Sequence, residues 1–201
     1  GAMTFTGTVA AIDAALNGAT FTPNANFTGS TTLQVSVDDL GNAGSGGAQT
    51  TSAAISINVG AVNDAPTITG PATTVATQED AAIVLSSANG DAIAVADVDS
   101  NGANEQVSLS SAQGTITLAS TAGISITAGA NGTGAVTIIG SVAALDAALD
   151  GLRFAPNANF NGNASLSATV DDLGNTGGGG AQTASGTATI SVSEVNDAPT
   201  V

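Results

Sequence analysis

Asp97 and Asp99 stand two residues apart at the end of an alternating run, Ile93, Val95, Asp97, Asp99. In an extended segment that period puts all four side chains on one face. The apolar face therefore ends in two carboxylates. Asn101, Gly102 and Asn104 follow. A carboxylate pair before a glycine turn and an Asn is how a loop wraps oxygens round Ca²⁺. The spacing departs from an EF-hand loop, which ends in a bidentate Glu, so further ligands must come from elsewhere in the chain. The same parity carries Leu33, Val35 and Val37 to Asp39, and Leu166, Ala168 and Val170 to Asp172, while Asp38 and Asp171 point the other way. Adjacent Asp residues also cap turns with no ion present, and that reading stands beside the first.

Composition narrows the chemistry. With no His and no Cys, the chain lacks the usual zinc and iron ligands, the thiol nucleophile and the commonest general base. Arg153 is the one basic side chain against 16 carboxylates, a net charge of −15. Such a balance argues against nucleic acid and anionic membranes as partners. The absence of Lys also excludes a Lys–Asn isopeptide brace. Self-repulsion on this scale strains a compact fold unless something neutralises it, and Ca²⁺ suits hard oxygen ligands. Acidity equally keeps a surface protein soluble. No run of 18 apolar residues is present, so nothing is expected to span a membrane. The glycine-rich stretches 41–47 and 174–180 have neither the Lys nor the following helix of a phosphate cradle, and read as flexible hairpin loops.

The elements that position these residues come in repeats. Val62-Asn63-Asp64-Ala65-Pro66-Thr67 returns unchanged as Val195 to Thr200, 133 residues later. Identity at that offset covers about 37 of 60 positions back to Thr8 and Ser141, which marks an internal repeat. Pro66 and Pro199 make each junction a stiff connector, with Asn and Asp oxygens at the seam. The expected organisation is an expression remnant at 1–3, the second half of one repeat at 4–62, a linker at 63–66, a complete repeat at 67–195 and the start of the next linker at 196–201. The chain thus reads as a piece of a longer array.

In each copy a strand (4–8 and 136–140) leads into a short helix. Thr8 or Ser141 caps it, and Gly18 or Gly151 ends it. Asp13 and Asp146 within it are expected to be solvated. Phe21 and Phe27, with Phe154 and Phe160, read as core plugs around a Pro-Asn turn. Strands are expected at Thr67–Thr77, Ile83–Leu85, Ile93–Val98, Val107–Ser110, Thr115–Leu118, Ile124–Thr127 and Val136–Ile139, and along both Leu/Val alternations. The fold class that follows is all-β, an antiparallel β-sandwich with one short helix per repeat.

Glu79 in Gln78-Glu79-Asp80, Asp97 with Asp99, Asp172 in Asp172-Leu173-Gly174, and Asn63 with Asp64 occur in the order of cadherin calcium motifs. On these residues the chain resembles the bacterial cadherin-like repeats, of the VNDAP type, found in large RTX-type surface adhesins. It is more distantly similar to animal cadherin domains. The resemblance implies an Ig/cadherin-like sandwich. It implies a main Ca²⁺ site of Asn63, Asp64, Asp97, Asp99 and Asp172 beside the seam. A second, incomplete site would comprise Glu79, Asn196 and Asp197 at the opposite end. Asp39, whose repeat lacks its DxD, is a lesser candidate.

The function so implied is that of a non-enzymatic extender in a secreted bacterial adhesin, with Ca²⁺ stiffening the junctions in cell adhesion and biofilm. It would act outside the cell or on its surface, with neighbouring repeats of the same polypeptide as partners. A calcium-dependent lectin that binds extracellular polysaccharide is the competing reading, though the chain has no Trp or Tyr platform. Glycoside hydrolysis by paired carboxylates is the poorest fit. The half repeat lacks its first strands, so it is expected to pair with another chain or to pack as a reduced sheet on the complete unit.

Overall fold

The structure, a computed structural model, describes residues 1–42 and 44–198. It divides into two compact units, Gly1–Val59 and Gly60–Val201. In the first, Thr8 Oγ1 accepts from Ala11 N at 3.3 Å and caps helix α1 (Val9–Leu16). Strands β1 (Gly29–Asp38) and β2 (Thr50–Val59) then form an antiparallel hairpin in unbroken register from Gly29↔Val59 to Asp38↔Thr50. Residues 4–8 are not a strand, contrary to the sequence expectation. Their counterpart in the second unit is held by strands on both sides. Among the described residues no strand lies beside 4–8 to take up the backbone groups, and a lone extended segment has nothing to stabilise it.

The second unit is all-β and sandwich-like. Thr67–Thr77 is not one strand but two: β3 (Thr67–Thr69) and β4 (Val75–Gln78), with Gly70 and Pro71 between them. Pro71 has no donor to continue a ladder, and the chain changes sheets there. Next come β5 (Ile83–Leu85), a single 3₁₀ turn (Ser87–Asn89), β6 (Ala94–Ala96), β7 (Asn104–Ser110), β8 (Gly114–Thr117), β9 (Ile124–Gly129) and β10 (Ala135–Ser141). Helix α2 (Val142–Leu149), capped by Ser141, leads to β11 (Leu152–Pro156), β12 (Gly162–Asp171) and β13 (Thr183–Ser193).

One sheet runs β4-β13-β12-β7-β10-β9; the other elements form a β5-β11-β8 sheet and a β3-β6 pair. Among these strands every pairing is antiparallel except β4 with β13, which is parallel. Val107, Leu109, Phe154, Leu166, Val170 and Ile190 line the core from alternate positions of their strands, joined by Leu145 and Leu149 of α2.

The two copies differ in what covers them. Phe21, Leu33, Val37 and Ile55 of the first unit are 47–51% exposed, depending on the residue. Their counterparts Phe154, Leu166 and Val170 are fully buried, and Ala188 nearly so. The same apolar face is closed in one repeat and open in the other.

Candidate metal centre

The inward parity of Ile93 and Val95, both buried, carries past β6 to Asp97 and Asp99, which are half-buried. Asp97 Oδ1 accepts from Asp99 N at 3.0 Å. Asn101 and Gly102 take consecutive positive φ angles of 48° and 80°, and Ala103 N closes onto Ser100 O at 2.8 Å. That tight turn returns the chain into β7 and holds the carboxylate pair at the end of the sandwich.

Asp172 follows β12 at the same end. Its Oδ1 accepts from Gly174 N and Gln182 N, both at 2.8 Å, which clamps the base of the 174–180 loop. Its Oδ2 accepts from Asn63 Nδ2 at 2.6 Å. The other Asn63 amide proton goes to Gly180 O at 3.0 Å. With both donors committed to acceptors, the orientation of this buried amide is fixed, and Asn63 Oδ1 is left without a partner. Asp64 joins through its backbone, whose N–H donates to Asp99 Oδ2 at 3.2 Å. Asn63, Asp64, Asp97, Asp99 and Asp172 thus meet as a chain of pairwise contacts.

The glycine-rich loop has a use the sequence reading missed. Asn63 N donates to Gly178 O at 3.0 Å, Gly178 N donates to Ala61 O at 3.1 Å, and Gln182 Nε2 donates to Asn63 O. A Cβ on Gly177 would lie 2.7–2.9 Å from backbone atoms of Ala61, Val62 and Asn63. The loop is therefore a cradle for the linker rather than a loose hairpin turn. Glycine is required there because two backbones meet.

Glu105 is the residue that sequence reasoning missed. It lies in β7, between β12 and β10, with Gly140 opposite it on β10. It is 1% exposed, and both of its carboxylate oxygens lack a hydrogen-bond partner. The carboxylate of Asp97 acts on it, and the charges of Asp172 and Asp146 also act on it. The signal was available in the sequence. Glu105, Val107 and Leu109 share one parity, so extending the expected strand back from Val107 by two residues turns Glu105 inward.

Among the described residues, the buried side-chain oxygens or nitrogens without a partner are Asn63 Oδ1, Asp99 Oδ1 and both Glu105 oxygens. All four are acceptors at the same end of one unit. The basic side chain Arg153 lies in β11, in the other sheet. Burial first, then the charge of Asp97, pushes the Glu105 pKa up to about 7. Asp97 is also raised, chiefly by burial and further by the carboxylate of Asp99. Burial acts upward on Asp172 too, but the amides of Gln182, Gly174 and Asn63 outweigh it and hold its pKa below the ordinary range. Among the described residues, no three acidic side chains already stand together as a finished metal cage. What exists is an acceptor-rich cluster in which four buried oxygens have no donor, which suits a hard cation or protons.

At the other end, Glu79 is buried, and its Oε1 accepts from Val195 N while its own N–H donates to Ser193 O at 2.8 Å. It pins the segment after β13 and opens onto a polar hollow lined with Asn159, Asn161, Glu194, Asn196 and Asp197. Asn196 and Asp197 are exposed; residues 199–201 of the expected next linker lie outside the described residues.

Asp39 repeats the clamp of Asp172, accepting from Gly41 N at 2.9 Å and Gln49 N at 2.8 Å, and is exposed. It caps a turn. Asp146, expected to be solvated, instead accepts from Val95 N at 2.9 Å and ties α2 to the strand that precedes Asp97.

No family model matches the chain, and no curated protein sequence matches it. Among solved structures, domains 4 and 5 of the S-layer protein SbsC match with 12% identity, over 73% of this chain and 63% of that one, at a TM-score of 0.31. The chain thus spans less than two thirds of that neighbour. Among the described residues, no helix is long and apolar enough to cross a membrane.

Proposed function

We propose that the chain is a calcium-binding spacer from a large bacterial surface adhesin, in which the ion ties the linker to the complete unit and stiffens the junction. The observation that carries this reading is the cluster of partnerless buried oxygens on Asn63, Asp99 and Glu105, set among Asp64, Asp97 and Asp172. All are oxygen donors, which fits Ca²⁺ rather than a softer metal. Asn63 and Asp64 belong to the linker, whereas Asp97, Asp99 and Asp172 belong to the sandwich. A cation held by both groups joins them. Bound calcium supplies the positive charge that no nearby side chain offers, and binding to the folded form alone adds roughly 2.7 kcal/mol at a hundredfold excess over Kd. Affinities of about 10⁻⁴–10⁻³ M, usual for extracellular modules, would keep the site filled outside cells and empty inside them. The apolar face left open in the first unit belongs, on this reading, against another half repeat.

The test is a melting curve of the 201-residue chain in EDTA and in millimolar Ca²⁺, for the wild type and for Asp97→Asn with Asp99→Asn. Calcium should raise the Tm of the wild type and leave the variant where it was. An equal calcium response in both would remove the site from these residues.

A further inference from the structure

We propose that Glu105 is a direct ligand of the bound cation, and its one anchor inside a central strand of the sandwich. The inference rests on the calcium reading above and goes beyond it. The other candidates sit on connecting segments: Asn63 and Asp64 in the linker, Asp97 and Asp99 after β6, Asp172 after β12. Glu105 alone is part of a ladder. It lies in β7, which is flanked by β12 and β10, with Val107 and Leu109 continuing its inward face into the core.

Three observations point to a ligand rather than a structural carboxylate. Glu105 is 1% exposed, yet neither oxygen receives a hydrogen bond. A buried carboxylate with a structural task accepts donors, as Asp172 does from Gly174, Gln182 and Asn63. The side chain that acts on it most strongly, Asp97, is another carboxylate. Two carboxylates in mutual reach with no donor between them need a proton or a cation in the gap. Finally, the other partnerless buried oxygens, on Asn63 and Asp99, belong to residues already bonded to this same cluster. The consequence concerns what the ion does. Held only by loops and linker, it would stiffen the junction; held also by β7, it neutralises a charge within the sheet and so stabilises the complete unit itself.

Glu105→Gln tests the assignment, because the amide keeps the shape and removes the charge. Calcium binding to the full chain is measured by isothermal titration, and Tm in EDTA is measured alongside. Glu105→Gln should weaken calcium binding at least tenfold while raising the EDTA Tm, since an unpartnered buried charge is gone. A charged Glu105 that takes no part in metal binding would give the second change without the first. Calcium affinity within twofold of wild type in Glu105→Gln, with Asp99→Asn still abolishing binding, overturns the role of Glu105 and leaves the calcium site standing. A wild-type chain that takes up no calcium overturns both.

Discussion

Placing an alanine at Gly177 should undo the docking of the linker, and the same loop provides its own control. Gly177 has φ +77° and Gly180 has φ +76°, so the backbone penalty of a side chain is nearly equal at both. That penalty is about 1–2 kcal/mol. Around Gly180 a Cβ meets nothing within 4 Å, whereas at Gly177 it would lie 2.7 Å from Val62 C, 2.8 Å from Asn63 N and 2.9 Å from Ala61 C. Backbone cannot yield as a flexible side chain does, so the linker must move. Asn63 would then lose its bonds to Gly178 O, Gly180 O and Asp172 Oδ2. With one of these charge-assisted and water replacing part of the rest, the added loss is about 2–3 kcal/mol. In EDTA, Gly180→Ala should cost roughly 1–2 kcal/mol and Gly177→Ala about 3–5 kcal/mol. For a unit of this size each kcal/mol moves Tm by roughly 3–5 °C. Gly177→Ala should also weaken calcium binding, because Asn63 and Asp64 leave the cluster; Gly180→Ala should not. Equal melting temperatures and equal calcium affinities for the two variants would refute the reasoning.

The raised pKa of Glu105 gives a pH dependence of definite sign. In the folded chain it lies near 7 against an ordinary 4.5, so the native state binds the extra proton between those values. Without metal, stability is greatest below about pH 4.5 from this group and falls as pH rises toward 7. The shift corresponds to at most roughly 3 kcal/mol. Urea unfolding in EDTA at pH 4.5 and 7.5 checks this, with Glu105→Gln expected to remove the slope. The open face of the first unit predicts weak self-association. Burying the exposed half of Phe21, Leu33, Val37 and Ile55 gives about 1 kcal/mol each, about 8 kcal/mol over two copies, against an entropic cost of at least about 4 kcal/mol. Light scattering should therefore show a dimer only at about millimolar concentration, lost in Phe21→Asp with Val37→Asp; a monomer at every concentration would contradict it.

Much of the fold was legible because parity and repetition carry it. The Leu33–Val37 and Leu166–Val170 alternations, the two capped helices and the inward turn of Asp97 and Asp99 are local in origin. What escaped depends on neighbours. Residues 4–8 have the pattern of a strand and no ladder to join, while Thr67–Thr77 changes sheets at Pro71, which periodicity alone does not show. The glycine-rich loop looked loose because its task, receiving Ala61–Asn63, lies more than a hundred residues away in sequence. Glu105 is within reach of the parity rule, but the alternation of apolar residues starts at Val107, three residues after the strand itself begins at Asn104. Asp146 looked solvated from its helix alone, and only the packing of α2 on β6 gives it Val95 N to accept from.

Calorimetric titration of the metal-stripped wild-type chain with CaCl₂ tests the central claim most directly. The account predicts saturable binding with a Kd of about 10⁻³ M or tighter, together with a higher Tm in calcium than in EDTA. No binding heat and identical melting curves at several millimolar calcium would contradict it.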